Sequence, residues 1–291
     1  MDSEAQEQRT RAALEWDLLL ERFAERCASR ASAEYARALT PAPTRESAAV
    51  RLARTRQALA LADSGHELPA REFPEITELL ERVRAHGVGS GSELAGLTRV
   101  LELAKELRAF AKSHAESAPE LTNAIRTDGA LEPLRERLAA SIEPDGQVAD
   151  RAAPSLAAAR AKKREVESDL KRRLTQMLGR YADLLQGQYY TEREGRYVLP
   201  VRSDAHLPVE GIVLGSSSSG GTLFVEPREL SELGNRLRLA EAEAAREEAR
   251  VLGLLSTQVG ELADPCEEAF FACIVADLCR AAARWAAETH S

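Results

Sequence analysis

Residues 154–187, PSLAAARAKKREVESDLKRRLTQMLGRYADLLQG, decide how the rest of the chain is read. After Pro154 the stretch has no further Pro, and Gly179 is its only Gly before Gly187. Val166, Leu170, Leu174, Met177, Tyr181 and Leu184 recur at spacings of 4, 4, 3, 4 and 3, the seam of a coiled-coil-like helix. At this length the helix would run ~50 Å. Residues 228–263 repeat the pattern through Leu230, Leu233, Leu237, Ala240, Ala244, Val251 and Leu254, with Glu247 interrupting the seam and Pro265 just beyond. Two helices of nearly equal length around one insert predict an antiparallel helical hairpin that carries the insert at its tip.

The insert, residues 188–227, has a different character. Gln188-Tyr-Tyr-Thr191, Arg196-Tyr-Val-Leu-Pro-Val-Arg202, Gly211-Ile-Val-Leu214 and Thr222-Leu-Phe-Val225 are β-prone, and Gly, Pro and Ser clusters separate them. They predict a small antiparallel sheet of three or four strands. Upstream, residues 1–153 read as short and medium helices. Leu14, Leu18, Leu19, Phe23 and Cys27 mark one, and Val50, Leu52, Leu59 and Leu61 another that ends at Asp63-Ser64-Gly65. Phe73–Val83 reads as a helix with Pro74 in its first turn. A long helix opens at Ser92-Glu93 after the loop Gly87–Gly91. Asp145-Gly146 between Ile142 and Val148 signals a short hairpin. Residues 264–291 read as a return helix rich in Ala and Cys.

The composition agrees with a mainly α chain. Of 291 residues, 44% are hydrophobic and 30% charged, as in a folded globular protein, but only 4% are aromatic, too few for an aromatic-rich β-sandwich. The four Cys (27, 266, 273 and 279) contain no CxxC, and three sit on one helix at spacings too long for a disulfide, which suits buried thiols in a reducing compartment. The five His are scattered, without metal-ligand spacing. No apolar run reaches the ~18–20 residues of a membrane span. The opening MDSEAQEQRTR has no apolar segment, so the expected location is cytoplasmic.

The net charge of −8 argues against a protein that coats nucleic acid generally. Charge is uneven, however. Residues 160–204 hold 11 Lys and Arg against 7 Asp and Glu, a local excess of +4, so contact with a polyanion is expected to be local. Arg160, Lys163, Arg164 and Lys171 on the first long helix, with Arg193, Arg196 and Arg202 on the insert, are the candidate phosphate contacts. An ordinary solvated helix face would also account for the helical members. Arg196 and Arg202 share parity on a strand and would project to one side. Tyr189 and Tyr197 are candidates for base stacking, although so small a sheet is expected to pack both inside.

Gly215-Ser-Ser-Ser-Ser-Gly-Gly-Thr222 nearly matches the phosphate-binding GxxxxGK[ST] loop. Gly221 stands where the Lys must be, and a strand rather than a helix follows, so no nucleotide site is expected. No catalytic constellation and no GxSxG are present, so this chain carries no assigned catalytic, cofactor-binding or metal-binding residue.

Gly195-Arg-Tyr-Val-Leu-Pro-Val201, followed by Gly211-Ile-Val-Leu-Gly-Ser-Ser-Ser-Ser-Gly-Gly-Thr-Leu-Phe-Val-Glu-Pro227 and Leu233-Gly-Asn-Arg-Leu237, resembles the lever-and-clamp region of the MutS superfamily. The likeness is to the MutS-two branch, the recombination-suppressing and ribosome-associated endonucleases. Leu14-Glu-Trp-Asp-Leu-Leu19 resembles that branch's opening. The resemblance implies a helical core over residues 1–153, an ascending lever helix over 154–187, a β clamp over 188–227, a descending lever helix over 228–263 and a return helix over 264–291. It further implies an arm that embraces branched or recombining DNA, or collided ribosomes, within an ATP-dependent protein that dimerises through an ATPase domain. ATP and Mg, and any nuclease, would belong to parts absent from this chain, which reads as a fragment: core, lever and clamp. A coiled-coil scaffold without a nucleic-acid role is the reading from a different class.

Overall fold

The computed structural model describes residues 13–289. In chain order these form α1 (Trp16–Ala24), α2 (Arg30–Arg37), α3 (Arg45–Asp63), α4 (Thr77–Arg84), α5 (Gly91–Ser113), α6 (Pro119–Ala124), α7 (Glu132–Ser141) and α8 (Pro154–Arg180). Four strands follow, β1 (Thr191–Arg193), β2 (Arg196–Arg202), β3 (Gly211–Ser216) and β4 (Thr222–Pro227). The chain then continues as α9 (Arg228–Glu261) and α10 (Ala263–Thr289). The fold is mainly α with one small antiparallel sheet. Two compact units divide it, Met1–Ala149 with Leu252–Ser291, and Asp150–Val251.

In the first unit α10 is the axis. It packs against α1 through α6. Its buried residues are mostly Ala and Cys, with Phe270 and Ile274. Small side chains over most of its circumference let several helices approach its backbone, so the helix is enclosed rather than amphipathic. Phe270 meets Phe73 edge to face at 5.8 Å. Asp277 is 1% exposed, and its carboxylate accepts the Ala28 and Ser29 backbone N–H groups at 2.9 and 3.0 Å. A buried charge is thereby satisfied at the entry to α2.

Local chemistry sets where the helices begin. Ser90 and Glu93 form a capping box at the start of α5, and Glu93 also takes two hydrogen bonds from Arg82 of α4, at 2.6 and 2.9 Å. The helix expected from Phe73 begins instead at Thr77. Glu75 accepts the Ile76 and Thr77 N–H groups and stops the helix there, while Phe73 turns into the core. The Asp145-Gly146 hairpin is reduced to a single bridge between Ile142 and Val148. Its turn presses on the start of α5 so closely that a Cβ on Gly91 would overlap the Gly146 carbonyl oxygen. Gly146 itself has φ 88°, the left-handed conformation that favours glycine.

The second unit is a helical hairpin with a sheet. Strand order is β1-β2-β4-β3, every neighbour antiparallel. A bulge between Val213 and Gly215 shifts the β3–β4 register. One apolar cluster joins helices and sheet: Val166, Leu170, Leu174 and Met177 from α8, Leu199, Val201 and Val225 from the sheet, and Leu230 and Leu237 from α9.

Two details depart from the sequence reading. α8 ends at Arg180 rather than near Gly187, and a 3-10 turn at Ala182–Leu184 follows. Continuing the helix would withdraw Leu185 from the cluster and break its bridge to Val201, as well as the hydrogen bond from Gln186 N to Pro200 O. In α9 the seam runs from Val251 to Leu255, and Leu254 is half exposed. Glu247, which breaks the apolar pattern, sits where Ser155 and Arg250 donate to it.

The Arg82 guanidinium, desolvation notwithstanding, holds the Glu93 carboxyl at about 2, below its ordinary 4.5, with further help from Ser90. A lowered carboxyl stabilises the fold above its ordinary value and ceases to do so as pH falls through the folded one. Glu93→Gln keeps the cap and removes the charge. It should cost about 1 kcal/mol at neutral pH after allowance for partial exposure, and urea titrations should show the gap closing between pH 4.5 and about 2. A gap that stays constant down to pH 2 would contradict this.

Candidate nucleic-acid interface

The seven candidate cations all lie in the second unit, and the structure gives each of them a partner. Arg160 bridges Asp150 and Glu248 at 2.8 Å each. Arg164 reaches the same Asp150 at 3.4 Å, Lys163 pairs with Glu241 at 3.4 Å, and Lys171 with Glu167 at 2.6 Å. On the sheet, Arg196 binds Glu226 at 2.6 Å and Arg202 lies 3.6 Å from Asp204. Arg193 stacks its guanidinium over the Phe224 ring, 3.7 Å from the centroid.

These partners follow the architecture. Antiparallel packing places the cations of α8 opposite the carboxylates of α9. Lys162 meets Glu243 at 2.9 Å, and Arg173 and Arg180 converge on Glu229. The local +4 is therefore answered partly across the hairpin and partly beside or within α8, where Arg164 reaches Asp150, Lys171 pairs with Glu167 and Arg172 with Asp169. The electrostatics agree in direction. Arg160 holds the Asp150 carboxyl below its ordinary value, and Lys171 does the same to Glu167.

The seven are not equivalent. Glu226 is 2% exposed, and Arg196 is its counter-ion, a structural pair. Most of the helical pairs are partly or well exposed and individually worth ~0–1 kcal/mol, so a phosphate can displace their carboxylates. Arg193 has no carboxylate partner among the described residues, and the Asp204 partner of Arg202 is itself 79% exposed. Tyr189 is half exposed rather than packed inside, Tyr190 is exposed beside it, and Tyr197 is half-buried, meeting Tyr190 at 5.9 Å. Burial raises the Tyr197 pKa.

Sequence reasoning passed over further cations. Arg228, Arg236 and Arg246 lie on α9 without a carboxylate partner among the described residues, and Arg238 donates to Asn235 at 2.6 Å. They are hidden in the sequence because their window is acidic overall. The signal that finds them is helical position, not net charge. The Gly/Ser run forms a loop from β3 to β4. Ser217 and Gly220 donate their N–H groups within it, to Thr222 O and Ser217 O, and Thr222 N donates to Ser217 Oγ. No helix follows to orient amides at a phosphate. Among the described residues no cluster of three His, Cys, Asp or Glu side chains could hold a metal, and no helix is long and apolar enough to cross a membrane.

A two-helix hairpin with a small antiparallel sheet inserted between its helices is the architecture that the MutS-superfamily resemblance implies. No protein-family model matches the chain. Individual relatives do match. The chain is 34% identical to the Endonuclease MutS2 of Thermomicrobium roseum over 94% of its own length and 35% of the relative's. The Endonuclease MutS2 of an Anaeromyxobacter species is 36% identical over 88% of the chain and 32% of the relative. That of Gemmatimonas aurantiaca is 35% identical over 95% and 35%. The chain belongs to the MutS2 family, and it spans about a third of the length of these relatives.

The Arg196–Glu226 pair offers a direct check. Arg196→Met leaves Glu226 buried and unpaired and should destabilise the protein by about 2–3 kcal/mol, somewhat less than for a fully buried pair. Replacing both partners with Met should recover most of that. Chemical denaturation of the single and double variants measures it. A silent single substitution would show that the pair is not structural.

Proposed function

We propose that residues 150–251 are the nucleic-acid-contacting arm of a MutS2-type DNA-binding protein, the hairpin serving as lever and the sheet as clamp. The observation that carries this reading is Arg193, an exposed-edge cation held over Phe224 and free of carboxylates, with Arg202 on the neighbouring strand and the exposed Tyr189 and Tyr190 close in sequence. Cations fixed on strands present phosphate contacts at low conformational cost, and exposed aromatic rings add sequence-tolerant stacking. Arg160, Lys163, Arg164 and Lys171 would add contacts only by exchanging their carboxylates for phosphates. Binding by this chain would accordingly be weak and strengthened by duplication of the arm.

On this reading the remaining two thirds of the relatives' length would supply the ATPase domain that binds ATP and Mg, the homodimer contact, and the endonuclease activity in their name. Branched or recombining DNA is the primary target. Ribosomal RNA offers the same phosphates, and a collided-ribosome role would use the same face. A purely structural scaffold would need none of these cations free.

The test removes Arg193 and Arg202 together as Gln and leaves Arg196 in place, because its loss disturbs the sheet. Each lost duplex contact should reduce the slope of log K against log salt by about 0.9. Binding of a four-way DNA junction and of ribosomes is measured at low salt for wild type and variant. A slope reduced by about 2 on the junction supports the arm. A slope reduced on ribosomes alone transfers the arm to that partner, and unchanged binding to both leaves the scaffold.

A further inference from the structure

The first unit contains a charged donor that the chain itself does not satisfy. Arg54 lies on α3, and its Nε is buried without a hydrogen-bond partner. Ser32 and Ser141 hydroxyls share that condition among the described residues, but Arg54 is the charged one. Buried polar groups almost always find a partner, so this arginine is costly to the fold, and its presence calls for an explanation in what the rest of its side chain lines.

Arg54 lines a cavity of about 350 Å³. Phe23, Leu39, Ile274 and Leu278 supply much of the wall. Tyr35 and Phe271, edge to face at 5.8 Å, also line it and remain 42% and 38% exposed. A second guanidinium, Arg51, donates from Nη1 to Thr40 O at 2.9 Å. In a chain of net charge −8 this cavity is lined by two arginines and no carboxylate. Cys279 completes the wall, and burial pushes its thiol up to about 11, so it is neutral. An apolar cavity of this size with a few convergent polar groups is the usual form of a small-ligand site.

We propose that this cavity binds a small amphiphile with an apolar body and one carboxylate, the body lying against Phe23, Ile274 and Leu278 and the carboxylate on Arg54. The planar guanidinium offers a carboxylate the N–H groups of its terminal nitrogens, while the Nε, which has no accessible surface, lies out of the ligand's reach. The ligand is a small molecule because the cavity is bounded by residues of α1, α2, α3 and α10 with room for one short chain or ring system.

The test uses decanoate, kept below its micelle concentration, with decanol as the uncharged counterpart, and isothermal titration against the 291-residue chain. Decanoate should bind at one site and at least about tenfold more tightly than decanol, because a charge-assisted hydrogen bond to a buried partner is worth that ratio. Arg54→Met should abolish the preference without lowering the melting temperature of the unliganded protein, since it removes an unsatisfied donor. Leu278→Trp, which fills the cavity, should abolish binding of both probes. The proposal is overturned if decanoate and decanol bind alike, if Arg54→Met retains the preference, or if neither probe binds.

Discussion

The register of α8 against α9 is the constraint on which the whole of residues 150–251 depends. An apolar seam of Val166, Leu170, Leu174 and Met177 would tolerate a slip of one turn against Leu230 and Leu237, because each step presents a similar apolar surface. The charged flanks would not. Lys162 to Glu243, Lys163 to Glu241 and Arg173 to Glu229 are staggered pairs, and one turn of slip would separate them together. Each exposed pair is weak, but specificity needs only that the wrong register lose several at once. At the far end the sheet locks the same register, through the Leu185–Val201 bridge and the hydrogen bond from Arg228 N to Glu210 O.

That arrangement changes the meaning of the positive stretch. A sum of charges along the chain follows sequence neighbours, whereas a phosphate experiences spatial ones. Arg160, Lys162 and Lys163 of α8 face carboxylates contributed some eighty residues later. They hold the hairpin first and reach a polyanion only by exchange. Arg193 differs because its partner is a ring, which leaves its charge uncompensated. Within the family-level reading, the sheet is therefore the part of the arm whose charge is available without rearrangement.

Much of the fold was legible because periodicity reports burial directly. The two long helices, the change to strands between them and the turn at Gly215–Thr222 all rest on local patterns that tertiary context reinforced. Two misses share one cause, a side chain claimed by a distant partner, and the third is its converse. Leu185 left the helix to join the sheet, Phe73 left its expected first turn for the core beside Phe270, and Tyr189 stayed outside because the sheet's cluster was already filled by aliphatic residues. The candidate cations were legible as residues but not as a surface. Nothing in the local sequence says that Glu226 is buried and reserves Arg196, or that Phe224 stands beneath Arg193.

The helical unit shows how a buried charge can be assigned a role. Asp277 and Arg54 are both drawn into the packing around α10, one a carboxylate with backbone donors, the other a guanidinium whose Nε faces no acceptor. For Asp277 the chain supplies the compensation, and the charge is explained by the folding of the α1–α2 junction. For Arg54 the unpaired donor costs stability as the structure stands. Replacing the side chain with an apolar one of similar length would relieve it, so folding alone gives no reason to keep an arginine there. A cavity lined by that arginine, apolar in most of its wall and without a carboxylate, supplies a reason that the fold does not.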